Sequence, residues 1–345
     1  MNILVTGGAG NVGKGVVAYL VERGHQVRVI DRKLETGGNQ GQAGVEYAAC
    51  DTTDYNAVRE QVRGMQGIIH LAAYPYPGAA PGPEIFRVNA NSTYNIFEAA
   101  AAEGIQRVTC ASSINAFGYN YGIKDFPIQY FPIDEAHPTF TTDPYSFSKG
   151  ITEAIADYYW RRDGISSTCL RMPWVYSITP EWIEMSKNFG GVFETAWRDF
   201  LALPAEEQAA RVALYKTELA GYRAKRAFEV PYDPQSQAGE EEQMDPSQAV
   251  FWGYTDFWAA ISVEDTAQAF EKSLLAEYEG SHALFITERE NSAGVDAETL
   301  LRIFYPEVGA RRQPIHGVSN LVSYDQARSL IGFEPQFILR ERLFA

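Results

Sequence analysis

Cysteine is scarce in this chain, positive charge is in deficit and long apolar runs are missing. Each shortage removes a class of protein. Three cysteines occur in 345 residues. Cys50, Cys110 and Cys169 stand far apart, each in or beside an apolar, strand-like run, which suits buried reduced thiols rather than disulfides or metal ligands. No metal is expected. With 29 Lys and Arg against 44 Asp and Glu, the formal net charge is −15. Binding to nucleic acid or to an anionic membrane is driven largely by Lys and Arg, so neither is expected as a partner. No run approaches the ~20 apolar residues of a membrane-spanning helix. The opening "MNILVTGGAG" enters a strand at once, without the charged and apolar segments of a signal peptide, and a cytoplasmic protein is the expectation.

What is present is an alternation of strands and helices. "NILVTG", "HQVRVID", "VEYAAC", "GIIHLAA", "QRVTCASS" and "SSTCLRMP" are short runs rich in Val, Ile, Leu and Cys, as strands buried on both faces require. Between them the pattern predicts helices over Asn11 to Arg23, Phe86 to Glu103 and Tyr145 to Arg162. This order specifies an α/β fold, a Rossmann-type doubly wound parallel sheet with helices on both faces. The length allows one large α/β domain with an appended lobe, or two domains.

The sharpest local motif is "TGGAGNVG". Gly7, Gly10 and Gly13 follow the first strand and open the first helix, where glycine permits a tight turn and lets the backbone approach a pyrophosphate on the helix N-terminus. An ordinary glycine-rich turn is the plainer reading of the motif alone. Asp31, closing the second strand, strengthens the cofactor reading, because a carboxylate there accepts hydrogen bonds from both adenosine ribose hydroxyls. Arg32 would suit a 2′-phosphate, but Asp31 would repel it, so the expected cofactor is NAD rather than NADP. Farther on, "DPYSFSKG" sets Tyr145 and Lys149 one helical turn apart on a shared face. An ammonium near a phenol favours the phenolate, which can act as a base, although a surface Tyr/Lys pair has the same spacing.

Taken in order, "TGGAGNVG", Asp31, "CDTTD", "HLAA", "VNANSTYNIFEAA", "ASSINAFG" and "YSFSK" resemble the extended short-chain dehydrogenases/reductases of the NAD-dependent epimerase/dehydratase family. The resemblance runs from residue 1 to about 176 and resumes from about 251 to 340. It implies a catalytic set of Ser113, Tyr145 and Lys149, with Ser113 rather than Ser112 at the reactive position. It also implies cofactor contacts from Gly7, Gly10, Asn11, Val12, Gly13, Asp31, Arg32, Asp51, Thr52, Leu71, Ala72, Ala73, Asn89 and Pro173, besides Tyr145 and Lys149. Asn89 reads either as a satisfied buried amide or as a residue ordering the site's backbone. Substrate contacts are expected from Tyr74, Ser113, Ile114, Asn115 and Trp174. The chemistry implied is hydride transfer between a carbinol carbon and nicotinamide. Tyr145 would move the hydroxyl proton, Lys149 would hold the ribose and lower the phenol pKa, and Ser113 would bind the same oxygen.

The departures from the family pattern narrow the substrate. Ile114 and Asn115 replace the Asp-Glu pair of the dehydratases, and Trp174 stands where an epimerase carries an amide. The basic residues nearest to a diphosphate grip are Arg311 and Arg312. A sugar or sugar nucleotide oxidised or epimerised at a secondary alcohol is expected, with a uronate or aldose dehydrogenase as the alternative and a non-catalytic NAD-binding regulator as a third reading. Residues 1–176 read as the NAD-binding domain and 177–345 as a smaller, largely helical substrate lobe, part of 251–290 returning to the sheet. Within the lobe, the insertion 178–250 reads as amphipathic helices starting near Thr179-Pro180 and Pro204, followed by an acidic loop. Trp182, Trp197 and Tyr222 are expected in the lobe core. A lid over the site and a homodimer contact are both open for this insertion. "SYDQARSLIGFEP" reads as a last helix stopped at Gly332.

Overall fold

The structure, a computed structural model, describes residues 1–34, 43–177, 179–229 and 246–343. Its first half alternates as the sequence predicts: β1 Asn2–Thr6, α1 Asn11–Glu22, β2 Gln26–Asp31, β3 Val45–Ala49, α2 Tyr55–Val62, β4 Gly67–His70, α3 Gly82–Glu103, β5 Arg107–Ala111, α4 Pro144–Asp163, β6 Ser166–Arg171 and β7 Trp174–Tyr176. The later elements are α5 Pro180–Leu201, α6 Ala205–Ala224, β8 Ala260–Ser262, α7 Val263–Leu275, β9 Ser281–Phe285, α8 Ala297–Phe304, α9 Asp325–Ile331 and α10 Leu339–Leu343.

Seven strands form one sheet in the order β3-β2-β1-β4-β5-β6-β9, every pairing parallel. The chain winds outward from β1 to β3, then returns to lay β4 on the other side of β1. That reversal opens a crevice over the carboxyl ends of β1 and β4, where α/β sheets bind ligands. The strands are apolar throughout because both faces are covered. Ile3 and Val5 point into a core shared with α1 and α7, whereas Leu4 and Ile68 join α2, α3 and α4 on the opposite face. The three cysteines are free and buried, as expected.

Helix α4 starts one residue ahead of the tyrosine because Pro144 fits a first helical turn and the Asp143 carboxylate accepts the Ser146 amide at 2.8 Å. Helix α3 starts a turn earlier than its apolar pattern suggests, behind Pro81, and stops at Gly104 in the left-handed conformation.

A third core, dense in aromatics, belongs to the lobe. Trp197 and Phe200 of α5 meet Phe251, Tyr254, Trp258 and Phe304 there. Pro180 and Pro204 do precede or open the two insertion helices. Trp197 is core as expected, but Tyr222 is not. It stays 47% exposed with its ring against Phe228. The Trp182 side chain and the acidic stretch 230–245 lie outside the described residues. Strand β9 completes the sheet, while β8 pairs with β7 in a separate two-stranded ribbon. Helix α9 stops at Gly332 in the left-handed conformation as expected, but it is not the last helix, since α10 Leu339–Leu343 follows it.

Candidate active site

The crevice over β1 and β4 is a cleft of about 640 Å³. One end is made by the turn after β1. A methyl group on Gly7 would sit 2.7 Å from the Ala72 amide nitrogen, and one on Gly13 only 2.3 Å from the Gly7 carbonyl. Both positions therefore accept only hydrogen, and the turn can press against the start of α1. That helix begins at Gly10 with no side chain capping it. Its first N–H groups thus face the cleft without side-chain acceptors, the arrangement that holds a phosphate. The residues present fit a dinucleotide: uncapped amides for the pyrophosphate and Asp31, at the end of β2, for a ribose.

Nearly every residue nominated from sequence reaches this cleft. Gly7, Gly10, Asn11, Val12, Gly13, Asp31, Arg32, Asp51, Thr52, Leu71, Ala72, Ala73, Tyr74, Ser113, Ile114, Asn115, Tyr145, Lys149, Pro173 and Trp174 all line it. Asn89 does not. It lies behind the wall, accepting the Tyr74 amide at 2.7 Å and donating to the Tyr74 carbonyl and to Ser148 Oγ. These bonds match the reading of Asn89 as a satisfied amide that orders the site's backbone. Asp51 is held below the usual carboxylate range, first by the Thr53 amide that it accepts at 2.9 Å.

At the other end Tyr145 and Lys149, both almost fully buried, project from α4. Lys149 Nζ donates to the Ala111 carbonyl at 2.8 Å and lies 5.7 Å from the center of the Tyr145 ring. Burial pushes the ammonium down to about 8 and the phenol up to about 12, with Ser113 opposing the latter. Lys149 was expected to lower the phenol's pKa. Burial outweighs any such pull and holds the phenol above its ordinary value.

Ser113 Oγ accepts from the Asn115 backbone and side-chain amides, at 3.1 and 3.2 Å, and its own hydroxyl is hydrogen-bonded with the Tyr145 phenol. Ser112 instead donates to Glu153 at 2.7 Å, and Arg171 grips that carboxylate with two bonds of 2.8 Å. The serine pair thus divides into Ser112, tied to Glu153, and Ser113, bonded with Tyr145 in the cleft.

Sequence reasoning missed Tyr76, Tyr121 and Asp256, which also line the cleft. Tyr121 packs edge-on to Tyr145 at 6.0 Å between ring centers. The one local signal for Asp256 is an acid set inside the aromatic run "GYTDFW". Arg311 and Arg312, the candidate diphosphate grips, are elsewhere. Arg311 is paired with Glu298 at 2.8 Å and Arg312 with Asp134 at 3.1 Å, and neither lines the cleft. From the insertion, Phe228 packs against Tyr121 of the cleft wall. Among the described residues no group of His, Cys, Asp or Glu could hold a metal ion, and no helix is long and apolar enough to cross a membrane.

A parallel doubly wound sheet with a glycine turn at one end of its crevice and a tyrosine and lysine at the other defines a dinucleotide-dependent oxidoreductase fold. The profile of the NAD dependent epimerase/dehydratase family matches residues 3–200, and the chain belongs to that family of NAD-dependent enzymes. It is 33% identical over 179 residues to an L-arabinose 1-dehydrogenase (NAD(P)(+)) of Haloferax volcanii, covering 50% of this chain and 66% of that protein. It is 34% identical over 152 residues to a UDP-glucose 4-epimerase of Streptomyces lividans, covering 42% and 44% respectively. These matches span two thirds or less of either relative's length. A crystal structure of a short-chain dehydrogenase/reductase superfamily protein from Agrobacterium tumefaciens with bound NAD superposes with a TM-score of 0.63 at 22% identity, over 99% of this chain and 95% of that one.

Proposed function

We propose that this protein is an NAD-dependent oxidoreductase that removes hydride from a secondary alcohol of a sugar, with Ser113, Tyr145 and Lys149 as its catalytic residues. The observation that carries the reading is the burial of these three side chains together at one end of a cleft whose other end is the glycine turn. When bound, NAD supplies the hydride acceptor. Tyr145 Oη takes the hydroxyl proton as the carbon–hydrogen bond breaks, and Ser113 Oγ, which bonds Tyr145 until substrate arrives, donates its hydrogen to the same oxygen, holding it as charge develops. The Lys149 ammonium steadies the phenolate and reaches the ribose. Asp31 favours NAD over its 2′-phosphorylated form by repulsion.

Two outcomes share this chemistry. An epimerase returns the hydride to the opposite face, whereas a dehydrogenase releases reduced cofactor. The kinship with an arabinose dehydrogenase and with an epimerase supports both, and the absence of Arg311 and Arg312 from the cleft favours the dehydrogenase. The cytosol suits three buried free thiols. A panel of aldoses, uronates and UDP-sugars offered with NAD tests the reading: net NADH with no stereoisomer is expected, and a panel that yields neither NADH nor a stereoisomer rejects it.

A further inference from the structure

Among the described residues the reacting end of the cleft carries the carboxylic acid Asp256, and its surroundings show how it is held there. It ends a short helical turn, Tyr254–Asp256, that is followed by two residues with left-handed backbones, Phe257 at φ 58° and Trp258 at φ 50°. Bulky residues rarely adopt that conformation, and when they do the surrounding packing enforces it. Here both are fully buried. Phe257 is wedged among Phe117, Tyr119, Phe131 and Tyr305, and Trp258 among Trp197, Tyr254 and Phe304. The turn is further tied by Tyr305 Oη donating to the Tyr254 carbonyl at 2.7 Å and by Thr255 Oγ1 donating to Asn120 Oδ1 at 2.6 Å. A strained turn fixed on both sides thus presents Asp256 to the cleft.

The carboxylate is incompletely satisfied. Its Oδ1 is buried with no hydrogen-bond partner, so it lacks the donor that such an atom ordinarily has. Burial pushes the acid up to about 7, the Asn120 side chain opposing. Its charge reaches the phenols of both Tyr121 and Tyr145. The cations lining the cleft among the described residues are Arg32, next to Asp31 at the ribose end, and Lys149, which donates to Ala111. An anionic group on the substrate would therefore meet Asp256 at the reacting end, with no free guanidinium there to balance it. A hydroxyl on the cleft side of the carboxylate, by contrast, would bring a donor and no charge.

We infer that Asp256 is the specificity-determining residue of the site, accepting a hydroxyl hydrogen from an uncharged sugar and rejecting sugars that carry a carboxylate or phosphate. This rests on the hydride-transfer reading and names its substrate class. The discrimination rests on like charge, which is present once the acid is ionised above about 7, so the comparison below is made at pH 8.

The test compares wild type with the near-isosteric Asp256→Asn and with Asp256→Ser. The substrates are a hexose, the hexuronate of the same ring configuration and a UDP-hexose. NADH formation gives kcat/KM, and the thermal shift of the NAD-loaded protein on adding each sugar gives binding without turnover. Wild type is expected to prefer the hexose over the hexuronate by at least about tenfold, ~1.4 kcal/mol. Asp256→Asn should narrow that ratio about tenfold while lowering kcat/KM for the hexose, with its melting temperature unchanged or raised. A wild-type preference for the hexuronate or the UDP-hexose overturns the proposal whether or not the variants fold, as does an unchanged ratio in a folded Asp256→Asn. If no sugar is oxidised yet the hexose alone stabilises the wild type, and Asp256→Asn loses that selectivity, hydride transfer fails and the role of Asp256 stands.

Discussion

Tyr145 and Lys149 illustrate how burial sets protonation before any ligand arrives. A phenol near 12 is a poor base at neutral pH, so its proton must be drawn off by charge that arrives with the oxidised cofactor and by the nearby ammonium. Tyr145→Phe removes only the hydroxyl. Turnover should fall at least about a hundredfold, while NAD titration gives nearly wild-type affinity. Near-normal turnover would remove Tyr145 from the reaction. Lys149 titrates in the opposite sense. Burial lowers its pKa to about 8, so the cationic form prevails below that value and is lost above it. Cofactor affinity should accordingly weaken as pH rises through about 8, and Lys149→Ala should be weaker at pH 7 and show no such step. A wild-type affinity that is flat from pH 6.5 to 9.5 would argue against an ammonium contact.

At the scale of elements, the strands and the helices α1, α3 and α4 were legible because each is written in contiguous residues. A run such as "NILVT" has no polar face to expose, Asp143-Pro144 announces a helix start, and the glycine spacing marks a turn that admits no side chain. Tyr222 misled because its ring lies on the outer face of α6, where aromatic identity says nothing of direction. Asn89 has two readings in the sequence because an amide inside an apolar helix looks the same whether it faces a ligand or clamps the loop at Tyr74. Asp256 was invisible for a stronger reason: only the folding of the aromatic lobe against the sheet brings it into the cleft with Tyr145, and that pairing leaves no local pattern. Trp174, at the start of β7, sits between these cases. It is 50% exposed and lines the cleft, so it behaves as a wall of the pocket rather than as core. Trp174→Asn should alter sugar preference or raise KM with little change in melting temperature. A core tryptophan would cost about 3–5 kcal/mol on truncation. A large loss of stability with unaltered preference would return Trp174 to a packing role.

At the scale of the whole molecule, the acidic protein carries an exposed aromatic face. Helices α3 and α4 pack side by side and leave Phe86, Tyr94, Phe147 and Tyr158 exposed, with Phe86 and Phe147 stacked at 5.4 Å. Apolar side chains clustered on an otherwise charged protein suit a second copy of the chain meeting the same face across a two-fold axis. We propose a homodimer on that basis. Sedimentation of the wild type should report a dimer and that of Phe147→Lys a monomer, and a monomeric wild type would dismiss the idea.

The place of β9 has a consequence for biosynthesis. It pairs with β6, yet the two are separated in the chain by the entire lobe insertion. The helix α7, packed against α1, is also made late. As the polypeptide leaves the ribosome, the first 176 residues hold the glycine turn, the tyrosine and the lysine. They have neither the partner for the outer edge of β6 nor the α7 part of the cover for one face of the sheet. The nascent half therefore waits, with an open strand edge that invites wrong pairing, until the C-terminal third is synthesised. A fragment ending at residue 176 is expected to aggregate and to show no NAD binding by calorimetry, and adding residues up to the end of α9 should restore a soluble, cofactor-binding protein.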